Sequence, residues 1–363
     1  MKHKRITRRE FLEKSARFAL GAAAGSVALT SSGNAPEIKK SVVSIAKIKN
    51  GNIAYAVEEA IDLLGGIKEA TRSKDRIMLK PNLVSSNPRS TTKPEVVKAL
   101  AQLMRRAEKE VLIGEGSSAA PGFNVIGNEM FRTTKSELLD KMQQYIYDGL
   151  GYTELAKSLG VPLVNLHTGE MAEVEVPNAF VFNKITLHRS LTEIDLLCSV
   201  PMMKTHTLAQ VTLGMKNLIG AYPGTVYQSY RGLMHDEAAK IESSGTAVAI
   251  VDMVRANKLG LVVVDASIAM EGEGPSYGEL VKMDLIIAGT NPLATDIVAA
   301  NCMGFQPSEI TQFTWANKAG LKPTGLDEIE VRGQRLESVR RKLKKPNIYT
   351  WEQVRQAWGV KEI

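Results

Sequence analysis

The strongest constraint on this chain is an alternation. Short apolar runs that read as buried strands take turns with segments whose apolar residues recur at helical spacing. The strand-like runs lie at residues 41–48, 76–80, 111–115, 163–166, 194–200, 260–265 and 285–288. Between them, residues 54–64 carry Val57, Ala60, Ile61 and Leu64 on one face, Pro94 opens a helix bearing Val96, Val97, Leu100 and Leu103, and residues 292–303 predict another helix. Residues 119–160 read as mostly helical, and residues 236–256 as helical after a loop at 222–232. Strand-helix alternation of this kind predicts an α/β fold, a mostly parallel doubly wound sheet covered on both faces. One stretch departs from the scheme. Residues 172–187 alternate apolar and polar around Pro177 and Asn178, which predicts an inserted antiparallel hairpin.

No repeat or low-complexity linker divides the chain, so residues 36–363 are expected to form a single α/β domain behind an N-terminal segment at 1–35. That segment holds seven Lys or Arg against Glu10 and Glu13, so five of the seven formal positive charges belong to it. The basic balance is therefore no argument for nucleic acid. The segment reads TRREFLEKSARFALGAAAGSVAL, with paired Arg8 and Arg9 before a mildly apolar run. It resembles a twin-arginine export signal, which implies the twin-arginine export machinery as a partner and a periplasmic or otherwise exported destination. The apolar run at 16–29 is shorter than the roughly 20 residues of a spanning helix; an uncleaved signal would leave a membrane tether. Cys198 and Cys302 lie in apolar surroundings with no C-x-x-C spacing, so they read as two small buried hydrophobes, and an iron–sulfur cluster is not expected.

Charged residues fall at the carboxyl ends of the strand-like runs. Lys80 ends RIMLK, Glu115 ends VLIGE, Lys204 follows LLCSVPMM and Asp265 ends LVVVD. Ligands of open parallel sheets bind at that edge, so these separate segments are expected to deliver charge to one crevice. The richest stretch is VPMMKTHTLAQVTLGMKNLIG, which reads as a loop carrying Lys204, His206, Lys216 and Asn217. Lysines there could neutralise a carboxylate or phosphate, with Asn82 and Asn217 adding directional hydrogen bonds. A clustered lysine can also have a lowered pKa and act as a base. The turns at Gly116-Ser117-Ser118 and Gly272-Glu273-Gly274 permit close backbone approach to an anion, but neither matches a P-loop or G-x-G-x-x-G pattern, which disfavours ATP and NAD. Asp265, Glu271 and Asp296, with His206 or His235, offer ligands for a divalent metal, although no spacing is diagnostic. Asp236 reads equally well as the cap of a helix. His167 and His188 read as surface or packing residues.

Several blocks taken together resemble a known family. KPNLV from Lys80, TTKPEVV from Thr91, IGEGS from Ile113, KTH from Lys204, GMKNLIG from Gly214, VVDASIAMEGEGP from Val263 and AGTNPLATD from Ala288 are similar to the family called domain of unknown function 362, over about residues 42–304. The resemblance implies that Lys80, Asn82, Glu115, Lys204, Lys216, Asn217, His235, Glu271, Gly272 and Asp296 occupy family motif positions. Members often add a ferredoxin-like cysteine cluster, which this chain lacks. The expectation is an exported enzyme for a small anionic ligand, with Lys204, Lys216, His206 and His235 as candidate catalytic groups. Lys80, Asn82, Thr92, Glu115, Ser117, Asn217 and Gly272 are candidate ligand-binding residues, and Asp265, Glu271 and Asp296 candidate metal ligands. The rival reading is a periplasmic binding protein that captures an anion without converting it; substrate, metal and oligomeric state have no signal in the sequence.

Overall fold

A computed structural model describes residues 40–127, 129–359 and 361–362. The twin-arginine-like segment lies outside the described residues. The main sheet contains ten strands. In chain order they are β1 (Ser41–Lys47), β2 (Arg76–Pro81), β3 (Glu110–Glu115), β4 (Leu163–Asn165), β5 (Leu196–Val200), β6 (Met202–His206), β7 (Gln210–Thr212), β8 (Leu259–Glu271), β9 (Glu279–Gly289) and β10 (Ile329–Gly333). Their spatial order is β10-β1-β9-β8-β5-β2-β3-β4, with β6 pairing β8 and β7. All run in one direction except β7 and β9.

The pleat explains why the central strands are apolar throughout. Successive residues point to opposite faces, and both faces are covered. Met78, Leu112, Leu197, Val262 and Ile287 pack on one side, with the helices Ala247–Ala256 and Pro292–Cys302. Ile77, Leu79, Ile113, Cys198, Val263 and Ile286 pack on the other, with the helices Ile53–Asp62, Pro94–Arg106, Ser136–Gly149 and Tyr152–Leu159. Cys198 and Cys302 are both free and buried, as their surroundings in sequence implied. Strands Met171–Glu175 and Lys184–His188 pair antiparallel, which is the expected hairpin. Among the described residues no helix is long and apolar enough to cross a membrane.

Four local expectations need correction. The strands expected at 260–265 and 285–288 are the inner parts of β8 and β9, which continue as a long antiparallel pair to Glu271↔Glu279. Their outer residues are partly polar because they project beyond the apolar centre of the sheet. Lys204 and His206 lie on strand β6, not on a loop; Pro201 interrupts the ladder and β6 resumes alongside β8, every residue buried. The region 119–160 opens with a small hairpin, Val125–Ile126 and Glu129–Arg132, before its helices. The helix expected over 236–256 is two, Gly232–Ala239 and Ala247–Ala256, separated by a turn at 240–246 in which Gly245 has a φ of +63°.

Strand connections locate the site. From β2 the chain proceeds outward to β3 and β4; from β5 it reaches β8 on the opposite side. The order reverses between β2 and β5, so the connections leave in opposite directions and open a crevice at the carboxyl ends of these two strands.

Candidate functional site

Lys80 at the end of β2 and Glu115 at the end of β3 meet in that crevice. Their ion pair measures 2.6 Å, with side chains 0% and 2% exposed. Burying two charges is costly unless their remaining hydrogen-bonding capacity is satisfied. Here it is. Glu115 Oε1 also accepts the Gly116 N–H at 2.8 Å and Oε2 the Leu83 N–H at 2.9 Å. Lys80 Nζ donates further to Asn217 Oδ1 at 3.2 Å and Pro81 O at 3.4 Å. Asn217 Nδ2 in turn donates to Lys80 O and Ser199 Oγ, fastening the segment after β7 to β2 and β5. Burial lowers the Lys80 pKa, while Glu115 opposes the shift. Gly220 is required beside this pair: a Cβ there would lie 2.3 Å from Glu115 Oε1 and 2.7 Å from Lys80 Nζ.

Arg231, absent from the expectations, completes this rear wall. Its guanidinium donates to four backbone carbonyls, those of Gly116, Ser117, Gly220 and Tyr222. Burial lowers its pKa to about 10, with Glu115 acting against the shift. The loop that presents it is strained, for Gln228, Tyr230 and Arg231 all have positive φ without being glycine. His167, buried, joins the same wall: Nε2 meets Ser117 O at 2.7 Å and Nδ1 accepts the Gly224 N–H at 3.0 Å.

In front of this wall lies a cavity of about 500 Å³ bordered by Lys216, His206, His235, Asn82, Asn217 and Glu115. Lys216 differs from Lys80. Among the described residues its ammonium has no hydrogen-bond or ion-pair partner. Burial, then Arg231 and Lys80, lower its pKa to about 7. The two histidines are neutral for related reasons: burial first, then neighbouring lysines, hold His206 well below the usual imidazole range, and burial followed by Lys216 lowers His235 to about 3.

Their tautomers are complementary. His206 Nδ1 accepts the Leu208 N–H at 3.0 Å, so in the neutral ring the proton sits on Nε2. His235 Nδ1 lies 2.8 Å from Gly245 O and must donate, which leaves a lone pair on Nε2. One imidazole therefore offers a donor and the other an acceptor. His235 is further held by Trp351, stacked at 4.4 Å between ring centroids. Trp351 Nε1 donates to Asp236, which also pairs with Arg132, so Asp236 is an anchor for this stack and not a helix cap.

Several candidates lie elsewhere. Lys204 is fully buried outside the cavity lining, its Nζ donating to Ser90 O, and burial and Lys216 keep its pKa well below the usual lysine range. Thr92 links β2 to β5 by accepting the Asn82 N–H and donating to Val200 O. Ser117 serves through its backbone, whose carbonyl receives Arg231 and His167. Gly272 faces Lys344; the cavity border from this loop is Glu273 to Tyr277. The acidic residues expected at a metal do not meet. Asp265 accepts from Ser267 and the Lys93 N–H, Glu271 from the Lys344 N–H, and Asp296 from the Gly214 and Met215 N–H groups. Among the described residues no group of three or more His, Cys, Asp or Glu is placed to hold a metal ion.

Comparison with known proteins bears on the family of the chain. The chain is similar to the thylakoid-associated protein sll1697 of Synechocystis sp., 26% identical over 280 residues covering 76% of this chain and 78% of that protein. Among solved structures it is similar to the lactate racemase apoprotein of Thermoanaerobacterium thermosaccharolyticum, with a TM-score of 0.41, 16% identity, and coverage of 71% of this chain and 56% of that one. A Thermotoga maritima protein gives a TM-score of 0.34 and 13% identity, covering 66% of this chain and 56% of its own. The family profile described as Domain of unknown function (DUF362) matches residues 77–301, which include Lys80, Asn82, Glu115, His206, Lys216, Asn217, Arg231 and His235. The chain is an α/β protein that belongs to the DUF362 family.

Proposed function

We propose that the protein is an enzyme that transfers a proton on a small carboxylate or phosphate compound bound at Lys216. The observation that carries this reading is the meeting of an unpartnered lysine and two neutral imidazoles of opposite tautomer at one cavity. Lys216 holds the anion as an ammonium. A bound anion counters its charge, which is the second cause of the low His235 pKa, so the imidazole gains basicity when substrate is in place. His235 Nε2 then accepts the substrate proton, and His206 Nε2–H donates to the oxygen on which charge develops.

The test is solvent deuterium incorporation, followed by NMR, into 2-oxo acids and phosphate monoesters. Wild-type protein is expected to exchange a substrate proton, and His235→Gln to slow exchange by about 10²–10⁴-fold, the usual contribution of a positioned acid or base. Tight binding without exchange would overturn catalysis in favour of a binding protein. The reading includes export through the paired Arg8 and Arg9. Replacing both with Lys is expected to retain a reporter fusion in the cytoplasm, and unchanged export would remove that part.

A further inference from the structure

We infer that the ligand is amphipathic, with an anionic head at Lys216 and an aromatic or extended apolar tail lying along a wall built by the C-terminal helix and the tip of the β8–β9 hairpin. The head assignment rests on the function proposed above; the tail rests on separate observations.

Size is the first. A cavity of about 500 Å³ falls within the roughly 300–1,000 Å³ of pockets that enclose drug-sized ligands, whereas a water takes about 30 Å³. A bare phosphate or short carboxylate would leave most of this space to water.

The lining is the second. Polar groups gather around Lys216, but from His235 onwards the border turns aromatic. Trp351 stacks on His235, and Trp351, Val354 and Trp358 all border the cavity. Their i, i+3, i+7 spacing places them on one face of the helix Trp351–Ala357 and its end, a stripe about 10 Å long at 1.5 Å per residue. Trp358 meets Tyr277, from the hairpin tip, at 5.6 Å between ring centroids. Apart from that contact Tyr277 is 70% exposed among the described residues, a large aromatic surface at the border of a cavity. Such flat, amphipathic rings bind aromatic or apolar groups with little loss of side-chain freedom.

The third observation is unused polarity. Asn82 Oδ1 and the Tyr230 hydroxyl are buried at the cavity border without a hydrogen-bond partner among the described residues. Buried polar atoms are nearly always paired, so these are positions for polar groups of a ligand larger than its head. The helical stripe lies beyond the family match at 77–301, whereas Lys216 and both histidines lie inside it. Head chemistry thus belongs to the matched region and tail selectivity to a segment outside it.

Calorimetric titration of the full chain with four anions tests the inference: butyrate, 4-phenylbutyrate, inorganic phosphate and phenyl phosphate. The phenyl compound of at least one pair is expected to bind about tenfold or more tightly than its parent, and the favoured pair identifies the head. Tyr277→Ala and Trp358→Ala should each bring that ratio towards one. Tyr277 is exposed, so its variant tests the wall even if the Trp358 change disturbs the helix. Equal binding of phenyl and parent compounds, or a ratio that survives both substitutions, overturns the tail. Lys216→Met separates the two readings: it should weaken both members of a pair alike, and unchanged affinities with a persistent phenyl preference would refute the head alone. Failure of all four anions to bind refutes both.

Discussion

Lys80 and Lys216 occupy the two sides of one site, and their difference is instructive. Both are lysines in low-dielectric surroundings among other cations. Lys80 has three acceptors, including the Glu115 carboxylate, and no exposed surface. Lys216 has none among the described residues and borders an open cavity. Burial disfavours both charges, but a carboxylate offsets it for Lys80, whereas Arg231 and Lys80 compound it for Lys216. A buried cation with all its donors engaged holds backbone segments together; one with its donors free has a charge state that a ligand can change. The same division separates Arg231, directed at four carbonyls, from His206 and His235, each with one ring nitrogen in use.

The comparison breaks most visibly at Glu115. Glu115→Ala would leave Lys80 and Arg231 buried without a counter-charge, and is expected to destabilise the protein by about 3–5 kcal/mol in denaturant unfolding. A loss below about 1 kcal/mol would show that the rear wall does not depend on that pair. Asp296→Asn should have the next largest effect. Both carboxylate oxygens receive backbone N–H groups, at 2.7 and 2.8 Å, and an amide cannot accept with its nitrogen, so a loss of about 1–3 kcal/mol is expected. This carboxylate locks the turn that leads to Lys216; chelator treatment or added divalent metal should leave its contribution unaltered.

The third test is the titration of Lys216, read in affinity against pH. Its pKa of about 7 lies below the ordinary 10.5, so between these values the unfolded chain binds more protons than the folded one and stability rises with pH. The penalty is fully present below about pH 7. Affinity for a carboxylate whose own charge is constant should move the other way, weakening by about tenfold per unit once pH exceeds the pKa of the free protein. Lys216→Arg should give a flat profile across this range. A wild-type profile equally flat would show that Lys216 is not the group that meets the anion.

Much of the architecture was legible in the chain because it depends on short-range patterns. Buried parallel strands require unbroken apolar runs such as LVVVD and RIMLK, and amphipathic helices require the spacing seen after Pro94. Strand-end charge placed Lys80 and Glu115 correctly in one crevice, since strand direction alone brings carboxyl ends to one edge. The outer parts of β8 and β9 were hidden because projecting strands carry polar residues, and Arg231 because its partners are backbone carbonyls with no sequence signature. Lys204 misled because a lysine one residue before a threonine reads the same on a loop and on a buried strand.

By itself, then, the sequence determined the α/β class, the inserted hairpin and the meeting of the Lys80 and Glu115 strand ends, because periodicity and strand direction act locally along the chain. Tertiary structure decided which of its charged groups remain available: whether Lys80, Lys204 or Lys216 is unpartnered, whether Asp265, Glu271 and Asp296 converge, and which nitrogen each histidine presents. Those properties depend on hydrogen-bond partners brought in from distant segments, such as Leu208 and Gly245 for the histidines and Gly214 for Asp296. A residue's type states what it can donate or accept, and only packing determines how much of that capacity the fold has already used.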